Sequence, residues 1–223
     1  MKLIRIYNLR SSKKMIYETS EETIIFFDLE TTGFNSFKDA IIEIAARDSD
    51  GNTFQELVDP ERTISEKIQS ITHITNEMVK GKRTIEHVLR DFVYFCLHNK
   101  DGIKRKLKKI YLCAHNCNAF DKIFLERNLF RSELSIPKWK YLDTLHLAQY
   151  LLRDHRSHSL RNLCFYWNLV QKNAHRAMSD VDDMIKIWGL LTHMWKTSPH
   201  SIGYDSEESV LDIVELYHFL QRI

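Results

Sequence analysis

The chain has 223 residues, 43% hydrophobic and 28% charged, which suits one domain with a sizeable core. A formal net charge of +2 gives no global signature of a nucleic-acid binder, and no apolar run approaches the ~20 residues that span a bilayer. The four cysteines show no paired spacing and no secretory signal is recognised, so a disulfide framework is excluded and reduced thiols inside a cell are expected.

Residues 1–20 carry Lys2, Arg5, Arg10, Lys13 and Lys14 before the first acid, Glu18, a basic extension or edge strand with a mitochondrial presequence as a second reading. Residues 24–33 read as a buried strand ending in a turn at Gly33. Strand alternation sends Asp28 and Glu30 to one side, roughly 7 Å apart at about 3.3 Å per residue, and Phe27 and Leu29 to the other. Two carboxylates at the end of a core strand repel each other and cost desolvation. A hard divalent cation, Mg²⁺ or Mn²⁺, between them removes both objections; a strand end emerging into water is the alternative. Residues 40–46 form a second apolar run, Asp50-Gly51-Asn52 a turn, and residues 53–58 a third strand closed by Pro60, so the sheet starts antiparallel.

Residues 61–83 suit short helices and loops. The spacing of Ile85, Val88, Leu89, Phe92, Phe95 and Cys96 predicts a helix over residues 84–98 with Thr84 as its N-cap. The basic stretch 104–109 is a solvated loop, a phosphate-contact patch or a nuclear address. Residues 110–114 form a fourth strand that leads to a helix starting near Ala119, with Asn118 as candidate cap. Asp121 then sits in the first helical turn, where the dipole favours a carboxylate with or without a metal. Cys113 and Cys117 flank a histidine, but no second ligand pair stands at zinc spacing. Residues 141–152 pass from a short strand into a helix, and residues 160–169 read as another, with a basic loop between. A long helix follows His175 to about Trp195, buried through Val181, Met184, Ile187, Trp188, Leu191 and Trp195. Asp180 faces inward with no local cation to meet it, and Asp182 faces outward. His175 alone reads as a surface or capping residue; its company with these acids raises its interest. After a polar stretch, residues 210–220 predict a closing helix that packs on the domain or on a partner.

Phe26-Phe27-Asp28-Leu29-Glu30-Thr31-Thr32-Gly33 resembles the first exonuclease motif of the DEDD superfamily. Ala114-His115-Asn116 with Phe120-Asp121 resembles the second. His175 through Asp180 resembles the third in its histidine form, DEDDh (DnaQ-like). Ile41-Ile42-Glu43-Ile44-Ala45, Val58-Asp59-Pro60, Ile74-Thr75-Asn76-Glu77-Met78, Asp143-Thr144-Leu145 and Ser159-Leu160-Arg161-Asn162-Leu163-Cys164 look like the proofreading exonuclease domains of bacterial replicative DNA polymerases.

The resemblance, over residues 23–195, implies an α/β, RNase H-like fold with a central mixed five-stranded sheet flanked by helices. The exonuclease domain would occupy residues 21–196, between the basic extension 1–20 and a C-terminal linker and helix, 197–223. It implies a metal-dependent 3′→5′ exonuclease on single-stranded ends, DNA favoured and RNA open, that releases nucleoside 5′-monophosphates. Two divalent ions, Mg²⁺ or Mn²⁺, would clamp the displacement at phosphorus. Asp28 would bridge both, Glu30 and Asp180 would complete the water-activating site, Asp121 would hold the second ion, and His175 would be the general base. Thr31, Thr32 and Gly33 would contact the 3′-terminal nucleotide, Phe34, Thr72 and Ile74 would line its pocket, and Asn116 and Phe120 would add substrate contacts. His73 stands where the family commonly has glycine. The implied partners are single-stranded nucleic-acid 3′ ends and a polymerase or other replication or repair protein reached through the C-terminal helix, with no membrane; the implied site is cytoplasm, nucleus or mitochondrion. A catalytically silent nucleic-acid-binding or polymerase-associated adaptor on the same fold is the alternative.

Overall fold

The structure is a computed structural model, and it describes residues 22–98, 101–105, 109–171 and 175–197. The basic extension 1–20, the closing helix at 210–220 and residues 106–108 of the basic stretch lie outside the described residues.

The centre is β1 (Glu22–Thr31). On one side it pairs antiparallel with β2 (Ile41–Asp48), which pairs antiparallel with β3 (Thr53–Leu57). On the other it pairs parallel with β4 (Lys109–Ala114), which pairs parallel with β5 (Lys140–Asp143). The mixed five-stranded sheet thus runs β3-β2-β1-β4-β5. The hairpin turn is fixed by Asp48, whose carboxylate accepts from the main chain of Asp50 (3.0 Å) and Asn52 (2.8 Å), while Gly51 takes φ 87°.

Alternation along β1 divides the core in two. Ile25, Phe27 and Leu29 face a cluster with Val88, Leu89 and Phe92 of α3 (Ile85–Leu97) and Phe124, Leu125 and Leu129 of α4 (Asp121–Arg131). Ile24 and Phe26 face the other cluster, built with α5 (Thr144–Leu151), α6 (Leu160–Tyr166) and α7 (Ala177–Thr197). Two short helices, α1 (Glu66–Thr72) and α2 (Asn76–Val79), cap a third cluster around Ile42, Ile64 and Ile74.

Thr84 is the N-cap residue of α3 as expected, though its hydroxyl donates to Glu86 (2.7 Å) and makes no cap bond. Two local expectations are corrected. Asn118 does not cap α4, which starts later, after Phe120; the Asn118 main-chain N–H instead donates to Asp143 Oδ2 at 3.0 Å. The helix expected over residues 160–169 stops at Tyr166, because Asn168 adopts φ 53° and the Leu169 N–H turns back to the Cys164 carbonyl at 2.8 Å. The basic stretch is also partly spoken for. Arg105 is buried against Asp48 and Asp50, and Lys109 Nζ lies 2.8 Å from Glu22, so neither side chain is left free for a phosphate.

Candidate active site

Three elements converge at the carboxyl-terminal end of β1. Asp28 and Glu30 leave the strand on the same side, and the register shift between Glu30 and Thr31 ends regular pairing just beyond them. Asp180 comes from the first turn of α7. Oxygens of Asp28, Glu30 and Asp180 lie within 4.8 Å of one another, a spacing at which one cation can touch all three. Asp121 opens α4, is 2% exposed, and accepts a main-chain hydrogen bond from Leu29, while its Oδ1 is buried with no partner.

The cluster has more negative charge than its own surroundings can hold. Burial, then Asp121, Glu30, Asp180 and Glu43, pushes Asp28 well above the carboxylate range. Burial, then Asp180, Glu43 and Asp121, pushes Glu30 up to about 8, with Arg176 pulling the other way. Burial raises Asp121 to about 8, against main-chain hydrogen bonds that favour its charged form. Asp180 is raised to about 6, again chiefly by burial. Acids that resist ionising together, with one orphaned oxygen among them, fit a site for divalent cations, whose charge would relieve both the repulsion and the missing partner.

His175 lies at the entrance to α7 in the left-handed region (φ 64°), with its ring exposed. Its main-chain N–H donates to Asp180 Oδ2 at 3.1 Å, which fixes the turn joining these two residues.

A clamp that sequence reasoning did not single out holds this entrance to the sheet. Glu43, on β2 directly opposite Glu30, is fully buried. It accepts from Arg176 Nε (3.2 Å) and Nη2 (3.0 Å), from the Ala177 N–H (3.2 Å) and from Gln55 Nε2 (2.9 Å). Asp143, at the end of β5, does the same for the turn after β4: it accepts from the main chain of Asn116 (2.9 Å), Asn118 (3.0 Å) and Leu145 (3.0 Å). Asn116 takes φ 70° in that turn, which delivers α4 and Asp121. His115 is pinned between Thr144 Oγ1 and the His158 carbonyl, 2.9 Å from each, and burial pushes its pKa down.

The remaining expected contact residues divide. Thr31, Thr32 and Gly33 follow the acids directly; Thr32 Oγ1 accepts from the Ala40 N–H at 2.9 Å and donates to Asp39 Oδ1 at 3.3 Å. Phe34 is 79% exposed and its ring lies 6.2 Å from that of Phe120, beside Asp121. Asn116 is exposed at the next turn. Thr72 and Ile74 are both buried, 3% and 0% exposed. Thr72 is spent on the Ile68 carbonyl and the Ile74 N–H, and Ile74 packs among Ile42, Ile64 and Val79. The residue between them that reaches solvent is His73, in the left-handed conformation at φ 58°.

Comparisons with known proteins agree with this geometry. The sequence model of the exonuclease family (RNase T) matches residues 25–188. The DNA polymerase III PolC-type of Latilactobacillus sakei is 34% identical over 181 residues, 79% of this chain, and that of Thermotoga petrophila is 35% identical over 192 residues, 82% of this chain. The chain spans only 11% and 13% of the length of these two relatives. Among solved structures, E. coli exonuclease I with single-stranded DNA superimposes with a TM-score of 0.66 at 20% identity, covering 79% of this chain and 41% of that one. The nuclease domain of 3′hExo, a DEDDh family member bound to rAMP, gives 0.64 at 21% identity, covering 78% and 92%. Both likenesses extend to the shared fold, and with the family model matched over residues 25–188 on a sheet of this topology, the chain belongs to the exonuclease family.

Proposed function

We propose that the protein is a 3′→5′ exonuclease that hydrolyses phosphodiester bonds at the 3′ end of single-stranded nucleic acid, DNA before RNA, and releases nucleoside 5′-monophosphates. The observation that carries this reading is the convergence of Asp28, Glu30 and Asp180 within 4.8 Å, beside the orphaned Oδ1 of Asp121. Two bound Mg²⁺ or Mn²⁺ ions would supply charge neutralisation at the phosphoryl oxygens and an acidified water. Asp28, Glu30 and Asp180 would hold one ion, with Asp28 shared with a second that Asp121 would hold. The exposed His175 ring takes the proton from the attacking water, its reach set by the main-chain bond to Asp180. Phe34 and the Thr31–Gly33 backbone receive the terminal nucleotide, Thr72 and Ile74 line its pocket, and His73 between them alters how the terminal base stacks. Similarity to polymerase III PolC-type relatives supports work beside a polymerase, as a unit of residues 21–196. Four free, buried cysteines support an intracellular setting, and no helix among the described residues is long and apolar enough to cross a membrane.

The test uses 3′- and 5′-labelled single-stranded DNA and RNA with Mg²⁺, Mn²⁺ or EDTA. Mononucleotides should leave the 3′ end, and EDTA or Asp28→Ala should stop their release. His175→Ala should lower kcat by about 10²–10⁴-fold with metal binding retained. Binding without cleavage under every metal condition sinks the reading.

Gly33 offers a finer check on the loop. A Cβ there would sit 2.5 Å from Asp39 Oδ2, the oxygen that accepts the Asn35 N–H at 2.8 Å. Gly33→Ala must displace that carboxylate. The expected cost is about 1 kcal/mol for the lost hydrogen bond, seen as a Tm lower by roughly 2–4 °C, with a several-fold rise in KM.

A further inference from the structure

One surface beside the acidic site combines exposed rings with arginines that meet no carboxylate among the described residues. α4 starts at Asp121 and runs away from the carboxylates. At 100° per residue, Ile123, Arg127, Phe130 and Arg131 share one face of it, about 100° wide. Ile123 is 43% exposed and Phe130 77% exposed. The loop after β1 lies along the same helix. Phe34 meets Phe120 at its start, and Ile123 and Phe34 line a common cleft. Further along, the Arg127 guanidinium sits 3.0 Å over the ring of Phe37, and Arg131 Nη2 donates to the Phe37 carbonyl at 3.1 Å. Phe37 is itself 68% exposed.

Arg127 and Arg131 are four residues apart on the helix, an arrangement that destabilises it by like-charge repulsion. Among the described residues neither meets a carboxylate; Arg127 reaches only Ser36 Oγ at 3.4 Å and the Phe37 ring. Two unneutralised guanidinium groups interleaved with exposed rings match the two needs of a single strand, phosphate neutralisation and a platform for bases. A protein partner would satisfy the rings but would have to bring its own acids.

We infer that this face of α4 and the loop residues 35–37 carry the single strand upstream of the scissile bond, with a base on the Phe37 face that Arg127 leaves open and phosphates on Arg127 and Arg131, while Phe34 marks the boundary with the terminal nucleotide. This rests on the exonuclease reading and adds to it a direction: the strand leaves the acids along α4. Contacts of this kind do not read sequence, so the surface takes any unpaired strand.

The test compares the unsubstituted protein with Arg127→Gln/Arg131→Gln and, separately, Phe37→Ser. The substrates are an oligothymidylate of about ten nucleotides, long enough to cover such a surface, and thymidine 5′-(p-nitrophenyl phosphate), which has no upstream strand. The surface moves the ratio of the two activities: KM for the oligonucleotide rises about tenfold in the double variant, against the ester as reference. Binding of the labelled oligonucleotide in EDTA, followed by anisotropy against salt, should lose about 1.4 from the slope of log K on log[salt], roughly 0.7 for each phosphate contact. An unchanged ratio and an unchanged slope overturn the inference and leave the face to a protein partner. A normal slope change in a protein that hydrolyses neither substrate defeats the exonuclease reading and upholds the strand surface.

Discussion

Asp28→Asn is expected to raise the melting temperature of the metal-free protein at pH 8 while abolishing cleavage. The reason is the crowding of acids that are hard to ionise together: Glu30 and Asp121 are each raised to about 8, and Asp28 lies well above its usual range. Folding thus raises these pKa values above those of the unfolded chain. Between about pH 4 and pH 8 the folded state holds more protons than the unfolded one, so by linkage its stability falls as pH rises through that window. At pH 8 Glu30 and Asp121 are each about half ionised, and Asp28 must either hold a proton or add its charge to theirs. An amide at position 28 needs neither, which relieves the cluster by on the order of 2 kcal/mol, or roughly 4–8 °C for a chain of this length. Added Mn²⁺ should stabilise the unsubstituted protein at pH 8 by about 2.7 kcal/mol at a concentration 100-fold above Kd, and do much less at pH 5, where protons occupy the same oxygens. Scanning calorimetry at pH 5 and pH 8, with and without Mn²⁺, checks both signs. A metal-free Tm that climbs from pH 5 to pH 8 would contradict the electrostatic account.

Arg176→Met should have the opposite effect on stability. It leaves Glu43, fully buried, facing Glu30, Asp28 and Asp180 with no cation. Breaking one partner of a buried ion pair costs about 3 kcal/mol or more, which is roughly 6–12 °C here. The loss also reaches the chemistry. Arg176 lies between His175 and Ala177, whose N–H shares Glu43, so freeing the clamp loosens the turn that sets the distance from His175 to Asp180. A fall in kcat larger than any change in KM is expected. Glu43→Gln in the Arg176→Met background removes the orphan charge and should recover much of the Tm but little of the kcat. If Arg176→Met leaves both Tm and kcat within error, the clamp has no such role.

Much of the architecture was legible because each strand announces itself differently. β1 and β4 are apolar on both faces, as strands with helices on either side must be, and the Asp50-Gly51-Asn52 turn fixes the β2–β3 hairpin. Asp28, Glu30 and Asp180 were legible for a simpler reason: acids on the buried side of a strand or helix are anomalies that need a partner. Glu43 is the same kind of anomaly, an acid in the middle of the apolar run Ile41–Ala46, and that was the available signal. Its partner could not be read, since Arg176 lies 133 positions away and no spacing rule spans that distance. Asp143 was hidden too. A carboxylate that closes a turn from another strand looks, in sequence, like an ordinary N-cap, and it also fills that role at Leu145. Nor did spacing show that Thr72 would turn its hydroxyl onto the backbone, or that Ile74 would be fully enclosed.

The origin of the site's parts along the chain bears on its biosynthesis. Asp28 and Glu30 sit on the first described strand, Asp121 on a middle helix, Arg176 just before the last described helix and Asp180 in its first turn. A nascent chain still lacking α7 would carry Glu43 without its cation and Asp28 and Glu30 without Asp180. A ribosome emits about 5–20 residues per second, so this unfinished condition lasts for seconds. During that time the sheet can assemble, but the carboxylates of Asp28, Glu30 and Asp180 are not yet brought within 4.8 Å of one another. Assembly of the acidic cluster is thus withheld until translation has delivered the last described helix, and a product truncated before Arg176 is expected to be inert as well as unstable.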